Sequence, residues 1–513
     1  MKKIKKGHFV TYILRCSDGS LYSGYANDLE KRLECHNQGK GAKYTRGRLP
    51  VKLVWHKNYK YLRYAMQKEI ELKKLNKKEK EKLLIKYKKQ KPQLKLYIKT
   101  FGCQMNEADS ELIAASFKKR NFEITGDLKE ADAAVVNTCT VRQLAEDKAV
   151  SMIGRLRKWK RLNPKRKIIV AGCAVEKIEA KNLIKKFPFI DMAIGAKAIN
   201  SFDKVLSEVV GEPKKSKQTD ETNLFNSPIT AYITVQRGCS LKCSYCIVPA
   251  VRGEAEHIKP EKIIKEVKLK VKSGARELVL LGQTVNSYLS IYKGKRINFT
   301  NLLEIISKIE GVERIRFMSP HPLFFNDSFF KVFKRNTKIA RHIHLPAQSG
   351  SSRILKLMKR GYTKNGYLDI LKKLRLADKT VSISTDFIVG YPGETEKDFN
   401  ETLKLAEAGK FSFAFCFKYS PRTAKDSENK DLLPNEILKK RLDILLETIK
   451  SNSKEIFNSR IGNIEEVLIE NKNYGRSSAN FKVKIDKMLK SGEIQKARII
   501  KNEKNTLYGK AVI

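Results

Sequence analysis

Apolar and polar positions alternate along this chain in short runs, and the runs change period as strand-like stretches give way to helix-like ones. Phe9-Val10-Thr11-Tyr12-Ile13-Leu14 predicts a strand, Asp18-Gly19 a hairpin turn, and Leu21-Tyr22-Ser23-Gly24-Tyr25 the returning strand. Asp28 predicts the cap of a helix running through His36. Gly39 to Gly47 reads as a basic, glycine-rich loop, Leu49 to Trp55 as a third strand, and Tyr61 to Lys89 as a very basic helical stretch closed by Pro92.

A second rhythm follows. Leu94 to Thr100, Ala133 to Thr140 and Lys167 to Cys173 are strand-like, and each carries or runs into a cysteine: Cys103, Cys139 and Cys173. Helices are expected after each, the first from Asp109 to Lys119. Strand, cysteine and helix repeated in this order predict a parallel α/β domain. Gly211 to Asn223 is polar and unpatterned and reads as a linker. Pro228 to Gln236, Glu277 to Gln283, Arg314 to Met318, the run at His342 to His344, Ser382 to Val389 and Phe413 to Tyr419 then predict buried strands separated by amphipathic helices. That series predicts a partial (β/α)6 barrel with its site at the strand C-termini. Glu465 to Glu470, Asn480 to Ile485 and Leu507 to Ile513 predict short strands of a small terminal β domain, with Tyr474 to Ser477 between them.

Composition narrows the chemistry. Lys and Arg number 105 against 55 Asp and Glu, a formal net charge of +50, so a polyanion, most often a nucleic acid, is the expected partner. Nine cysteines on a large, lysine-rich chain argue against a secreted disulfide framework and for a reducing, cytoplasmic compartment. No apolar run approaches the ~18 residues of a membrane-spanning helix, so no membrane association is expected.

Cys239-Ser240-Leu241-Lys242-Cys243-Ser244-Tyr245-Cys246 places three thiols at CxxxCxxC spacing. A structural zinc site takes four protein ligands, and a catalytic one usually includes histidine. Three cysteines without a fourth suggest an iron–sulfur cluster with one iron left open to a small chelating molecule. In a parallel sheet, ligands sit beyond the strand C-termini. Cys103, Cys139 and Cys173 are therefore expected to converge there and hold a second cluster.

The CxxxCxxC stretch resembles the radical-SAM signature, which implies that Tyr245 touches the adenine of S-adenosylmethionine. Thr100-Phe101-Gly102-Cys103-Gln104-Met105-Asn106 and Asn137-Thr138-Cys139-Thr140-Val141-Arg142 resemble the N-terminal domain of the methylthiotransferases, in its MiaB-type version. Arg252-Gly253-Glu254, Gly282-Gln283-Thr284-Val285-Asn286, Ser319-Pro320-His321-Pro322 and Gly390-Tyr391-Pro392-Gly393-Glu394 resemble the core of the same family. The shortened loop at Thr423-Ala424-Lys425 departs from it. The resemblance implies a tRNA enzyme with two 4Fe-4S clusters, on Cys103, Cys139 and Cys173 and on Cys239, Cys243 and Cys246. S-adenosylmethionine would lie near Tyr245, Gly282, Gln283, Gly390 and Glu394, and a reductant protein such as flavodoxin or ferredoxin would supply electrons. The implied reaction replaces the C2 hydrogen of N6-isopentenyladenosine, next to the anticodon, with a methylthio group. The alternatives are threonylcarbamoyl-adenosine as substrate, or a nuclease whose C-terminal parts merely locate RNA.

Residues 1–91 resemble the GIY-YIG nucleases: Tyr12-Ile13-Leu14 and Tyr22-Ser23-Gly24 match the two halves of the name motif, although Thr11 replaces a glycine. The resemblance implies Tyr12, Tyr22, Arg32, His36 and Glu69 as catalytic residues, with Glu69 holding Mg²⁺. The terminal segment resembles a TRAM domain, a tRNA-holding β-barrel. The expected architecture is α/β multidomain: a small α+β GIY-YIG domain (1–91), a parallel α/β methylthiotransferase N-terminal domain (92–210), a linker (211–227), a partial (β/α)6 radical-SAM barrel (228–451) and a C-terminal TRAM β-barrel (452–513).

Overall fold

The computed structural model describes residues 6–90, 93–140, 143–213, 229–421 and 431–512. Pro92, Val141, Arg142, most of the expected linker and the shortened loop at Thr423 to Lys425 lie outside them. The chain divides into two compact units, Met1–Gln93 and Leu94–Ile513.

In the first unit, β1 (Lys6–Arg15) lies between β2 (Leu21–Ala26) and β3 (Lys52–Tyr61), antiparallel to both. Asp28 caps α1 (Leu29–Asn37) by accepting from the Lys31 amide, as expected. The glycine-rich stretch is not all loop, because Lys43–Arg46 forms one helical turn, α2. The third strand starts later than Leu49 and runs to Tyr61; Pro50 has no N–H to give to a ladder. The basic helical stretch is two helices, α3 (Leu62–Lys74) and α4 (Lys77–Gln90). Asn76 causes the break: its side chain accepts from the Glu79 amide, and Glu79 accepts from the Asn76 amide.

The second unit begins with a five-stranded parallel sheet ordered β5-β4-β6-β7-β8: β4 (Leu94–Thr100), β5 (Phe122–Ile124), β6 (Ala133–Thr138), β7 (Lys167–Gly172) and β8 (Met192–Gly195). The two edge strands, β5 and β8, are too short to show a period and were not expected. Helices α5 (Gln104–Lys118) and α9 (Phe202–Val210) cover one face around Leu96, Val135 and Ile169. Helices α6 (Gln143–Leu162), α7 (Cys173–Ile178) and α8 (Ala180–Lys186) cover the other around Ala134, Val136 and Ile168. Helix α5 starts at once after Cys103, not at Asp109, because Asn106 and Asp109 are polar yet fully buried and disguise its first turns.

Two three-stranded parallel sheets follow. β9 (Thr230–Thr234), β12 (Glu277–Leu281) and β15 (Arg314–Phe317) form one, and β16 (His342–His344), β17 (Ser382–Val389) and β18 (Phe413–Lys418) the other. A parallel bridge between Ile315 and Ile339 joins the two, giving the six strands of the expected partial barrel. Between β9 and β12 lie a two-residue pair, β10 (Gln236–Arg237) with β11 (Glu256–His257), and helices α10 (Val248–Arg252) and α11 (Pro260–Lys272). Between β12 and β15 stands the hairpin β13 (Leu289–Tyr292) and β14 (Lys295–Asn298).

The concave face of β9 and β12 is filled by α5. Its Met105 and Ala108 pack against Val279, Leu281, Tyr232 and Met318, and fully burying a side chain such as Met105, Val279 or Leu281 is worth about 1.5–3 kcal/mol. The packing sets the N-terminus of α5, and Cys103 with it, at the barrel.

The chain ends in a closed barrel ordered β19-β20-β21-β23-β22: β19 (Ile464–Asn471), β20 (Tyr474–Ser477), β21 (Lys482–Ile485), β22 (Ile494–Glu503) and β23 (Thr506–Ala511). Tyr474 to Ser477, expected between strands, is itself β20. The helix Asn435–Asn458 runs straight through the expected 451/452 boundary, and its Phe457 packs into the barrel core. Buried Arg314 and Arg316, on β15, tie this barrel down. Arg314 donates to the Arg476 and Glu466 carbonyls, Arg316 to those of Ser477 and Ser478, and both face Glu277.

Candidate functional site

Cys103, Cys139 and Cys173 stand just past the C-terminal ends of β4, β6 and β7, the three central neighbours of the sheet. Cys103 is the extended N-cap of α5 and is exposed; Cys139 and Cys173 are buried. Asn106 ties the ends of β4 and β6 together. It donates to the carbonyls of Phe101 (3.1 Å) and Thr138 (2.8 Å), and its Oδ1 lies 3.4 Å from Cys103 Sγ. Gly102, at φ 115°, presses on Cys139: a Cβ there would lie 2.3 Å from Cys139 Cβ. The thiols also feel one another. Burial pushes Cys173 up to about 11, with Cys139 and Cys103 adding to the rise and Arg252 opposing it.

The second trio lies on the loop between β10 and α10. Cys239 donates its amide to the Gly253 carbonyl (3.0 Å), and its Sγ lies 3.2 Å from Thr284 Oγ1. Cys243 lies 3.4 Å from Arg360 Nη1. Ser244 hydrogen-bonds the backbone of Met358 and Leu357, so the loop is anchored across the barrel. Burial, then Cys243 and Cys239, raise Cys246 to about 11, with the Val248 amide opposing.

The two trios adjoin. Cys173 and Ala196 pack in one apolar cluster with Val251 and with Ile247, the residue after Cys246. Arg252 donates to Asn106 (3.0 Å) and Asp109 (3.1 Å), and Arg237 donates to the other Asp109 oxygen (2.6 Å). Asp109 is 1% exposed, so this Arg–Asp–Arg bridge is a buried clamp between the sheet domain and the barrel. Burial works against the charge of Arg252, yet Cys173, Asp109 and Cys103 leave its pKa above the ordinary arginine value. A cation held there suits thiolates on one side and a carboxylate on the other.

Each donor set, three thiols beside a buried arginine, fits a cluster with one iron open to a ligand. Among the described residues no three His, Cys, Asp or Glu close tightly enough to hold a single metal ion. A four-iron cube takes its thiolates at separate corners and does not require that.

The residues expected around S-adenosylmethionine are distributed as follows. Tyr245 is held beside Arg360, and burial raises its pKa well above the ordinary value. Gly282 abuts Gln236, where a Cβ would come within 2.8 Å of Gln236 Oε1. Among the described residues Gln283 Oε1 and His321 Nε2 are buried with no hydrogen-bond partner, an opening for a polar ligand at the strand ends. Gly390 sits at φ 72° against Leu438. Glu394 accepts from the Gly390 amide (2.7 Å) and from Arg441 (2.7 Å), so its visible task is to fix the turn. Asp109, Arg237 and Arg360 were not expected at the site; nothing in their sequence surroundings marks them.

In the first unit, Tyr12, Tyr22, Arg32 and Glu69 line one cavity of about 500 Å³. His36 lies behind Tyr12, with its Nε2 3.1 Å from the phenol oxygen, and Arg32 Nε lies 3.3 Å from that oxygen. Burial chiefly raises Tyr12, with Arg32 opposing; burial and then Arg32 lower His36. Glu69 pairs with Lys73 at 3.0 Å.

Family models match residues 8–82 (GIY-YIG catalytic domain), 95–195 (uncharacterized protein family UPF0004) and 233–406 (radical SAM superfamily). The tRNA-2-methylthio-N(6)-dimethylallyladenosine synthase of a Nitratiruptor species is 39% identical over 436 residues, covering 82% of this chain and 99% of that protein. Its namesake in Helicobacter hepaticus is 40% identical over 438 residues, covering 82% and 94%. The UPF0213 protein BH0048 of Bacillus halodurans, solved by NMR, is 45% identical over 15% of this chain and 82% of its own, with a TM-score of 0.11. With its thiol trios, its barrel and the two synthases taken together, the chain belongs to the radical-SAM family of tRNA-2-methylthio-N(6)-dimethylallyladenosine synthases and carries a GIY-YIG unit in front of it.

Proposed function

We propose that Leu94–Ile513 methylthiolates C2 of N6-isopentenyladenosine next to the anticodon of tRNA. The observation that supports this reading is that Cys173, at the end of β7, shares one apolar cluster with Val251 and with Ile247, the residue after Cys246. Cys239, Cys243 and Cys246 would hold the cluster that binds S-adenosylmethionine, and Cys103, Cys139 and Cys173 the cluster that carries the sulfur. When bound, these groups supply the one-electron chemistry needed to break an aromatic C–H bond, which acid–base residues cannot do. The chain's own part is positional. Arg360 keeps a positive charge beside Cys243. The Asp109 clamp holds Cys103 at the barrel mouth. The Glu394–Arg441 pair fixes the turn at Gly390.

On the terminal barrel, Lys482 and Lys484 lie over the Tyr474 ring, and Lys484 and Lys501 over that of Tyr508. Lysines interleaved with aromatic rings suit phosphates and unstacked bases, and the target base must be splayed out of the anticodon loop. An electron-donating protein such as flavodoxin or ferredoxin and a cytoplasmic setting complete the reading; among the described residues no helix is long and apolar enough to cross a membrane. Mass spectrometry of tRNA from a deletion strain tests the substrate. Loss of the 2-methylthio group from isopentenyladenosine is expected, and loss from threonylcarbamoyl-adenosine instead would overturn the assignment.

A second reading concerns Met1–Gln93. Tyr12, Tyr22, Arg32 and Glu69 on one cavity wall support phosphodiester hydrolysis, with Arg32 stabilising charge on the phosphate and Glu69 holding Mg²⁺. Cleavage of nucleic acid by the wild type with Mg²⁺, lost in Glu69→Ala, is expected; equal cleavage by both would leave only a binding role.

A further inference from the structure

The single helical turn α2 delivers Thr45 to His36. Thr45 Oγ1 lies 2.8 Å from His36 Nδ1 and 2.9 Å from the Ala42 carbonyl oxygen. Thr45 and His36 are both 0% exposed, and Tyr12 is 1% exposed. A carbonyl can only accept, so the hydroxyl proton of Thr45 goes to Ala42. The Thr45 oxygen is then left to accept, and His36 Nδ1 must carry the ring proton. His36 Nε2 is consequently a bare lone pair, 3.1 Å from Tyr12 Oη, and Tyr12 donates to it. On its other side the Tyr12 oxygen accepts from Arg32 Nε at 3.3 Å. Gly41 makes the closure fit, because a Cβ there would come within 2.4 Å of His36 Nδ1.

We propose that Thr45 is a positioning residue that fixes the His36 tautomer, so that His36 draws the proton from Tyr12 and readies it as a base. The proposal rests on the hydrolytic reading of this cavity. In the step, the oxygen of a water molecule bonds to phosphorus while the bond to the leaving ribose oxygen breaks. The water proton passes to Tyr12 Oη, the phenol proton passes to His36 Nε2, and the leaving oxygen takes a proton from bulk water. Arg32 keeps the phenol oxygen hydrogen-bonded throughout. No electrons change hands. A histidine in the other tautomer would point a proton at Tyr12 and block the transfer.

The test uses the full chain labelled with ¹⁵N-histidine, with the His36 signals assigned by His36→Gln. The expected wild-type spectrum shows Nδ1 protonated and Nε2 bare, Thr45→Ser keeps that pattern, and Thr45→Val mixes the tautomers. A protonated Nε2 in the wild type, or an unchanged tautomer in Thr45→Val, overturns the proposal. The second arm measures cleavage of single-stranded RNA and of DNA with Mg²⁺. Thr45→Val is expected to lower kcat by about 10²-fold with KM little changed, the low end of what a positioned general base contributes, and Thr45→Ser to restore most of it. Equal turnover in Thr45→Val overturns the positioning role. A wild type that cuts neither substrate overturns the hydrolytic reading itself, a result distinguishable because the tautomer measurement is made independently of turnover.

Discussion

Cys239, Cys243 and Cys246 arrive on eight consecutive residues, whereas Cys103, Cys139 and Cys173 arrive on three separate strands of one parallel sheet. The first trio takes its shape from a loop pinned at a few points, Gly253, Met358 and Leu357. The second takes its shape from a whole domain: strand order, helix starts and the buried amide of Asn106. A local loop can be damaged without the fold, and the fold can be damaged without touching a cysteine. The two trios should therefore fail in different ways.

The sharpest separation comes from removing one thiol on each side. Cys239→Ala is expected to reduce both S-adenosylmethionine cleavage and tRNA methylthiolation to background. Cys103→Ala should abolish methylthiolation and leave cleavage intact, as followed by chromatography of 5′-deoxyadenosine and mass spectrometry of tRNA. Loss of both activities in Cys103→Ala would break the division of labour.

Next in size is the clamp that joins the two sides. Asp109→Ala leaves Arg237 and Arg252 buried and facing each other, and an unpaired buried charge costs about 3–5 kcal/mol. A clear fall in Tm should be seen by calorimetry; an unchanged Tm would mean that the clamp does not hold the domains.

Gly102→Ala acts on the sheet trio alone. The new Cβ meets Cys139 at 2.3 Å in a left-handed backbone, a strain of about 1–3 kcal/mol. Iron should be lost from that trio while S-adenosylmethionine cleavage persists, as read by iron assay beside the cleavage assay.

The smallest effect is expected on the terminal barrel. Lys484→Gln should weaken tRNA binding a few-fold and make the slope of log affinity against log salt shallower by about 1, as measured by filter binding.

Much of this was legible from the chain. The strand–cysteine–helix rhythm marks three sheet positions because buried parallel strands read as apolar runs, and Ala133 to Val136 is such a run within a strand buried throughout. CxxxCxxC is legible because its geometry is local. Elsewhere, burial and polarity parted company. Asn106 looks like a loop residue and Asp109 like an exposed helix start, but both are buried helix residues satisfied by tertiary hydrogen bonds, so the start of α5 was hidden. Strand β22 carries exposed Ile494 and Ile500 among lysines, which blurs its alternation. Arg360 reaches Cys243 across more than a hundred residues of chain, a partnership that no spacing announces. In the first unit, Thr45 looked like one more loop hydroxyl until α2 set it against His36.

The most direct test of the central claim is the iron content of the anaerobically prepared Cys103→Ala/Cys139→Ala/Cys173→Ala triple variant, with its cleavage of S-adenosylmethionine measured in parallel. Two independent four-iron clusters predict about eight irons in the wild type and about four in the variant, with cleavage retained. A variant that keeps all its iron, or loses all of it together with cleavage, would contradict the claim that each trio holds a cluster of its own.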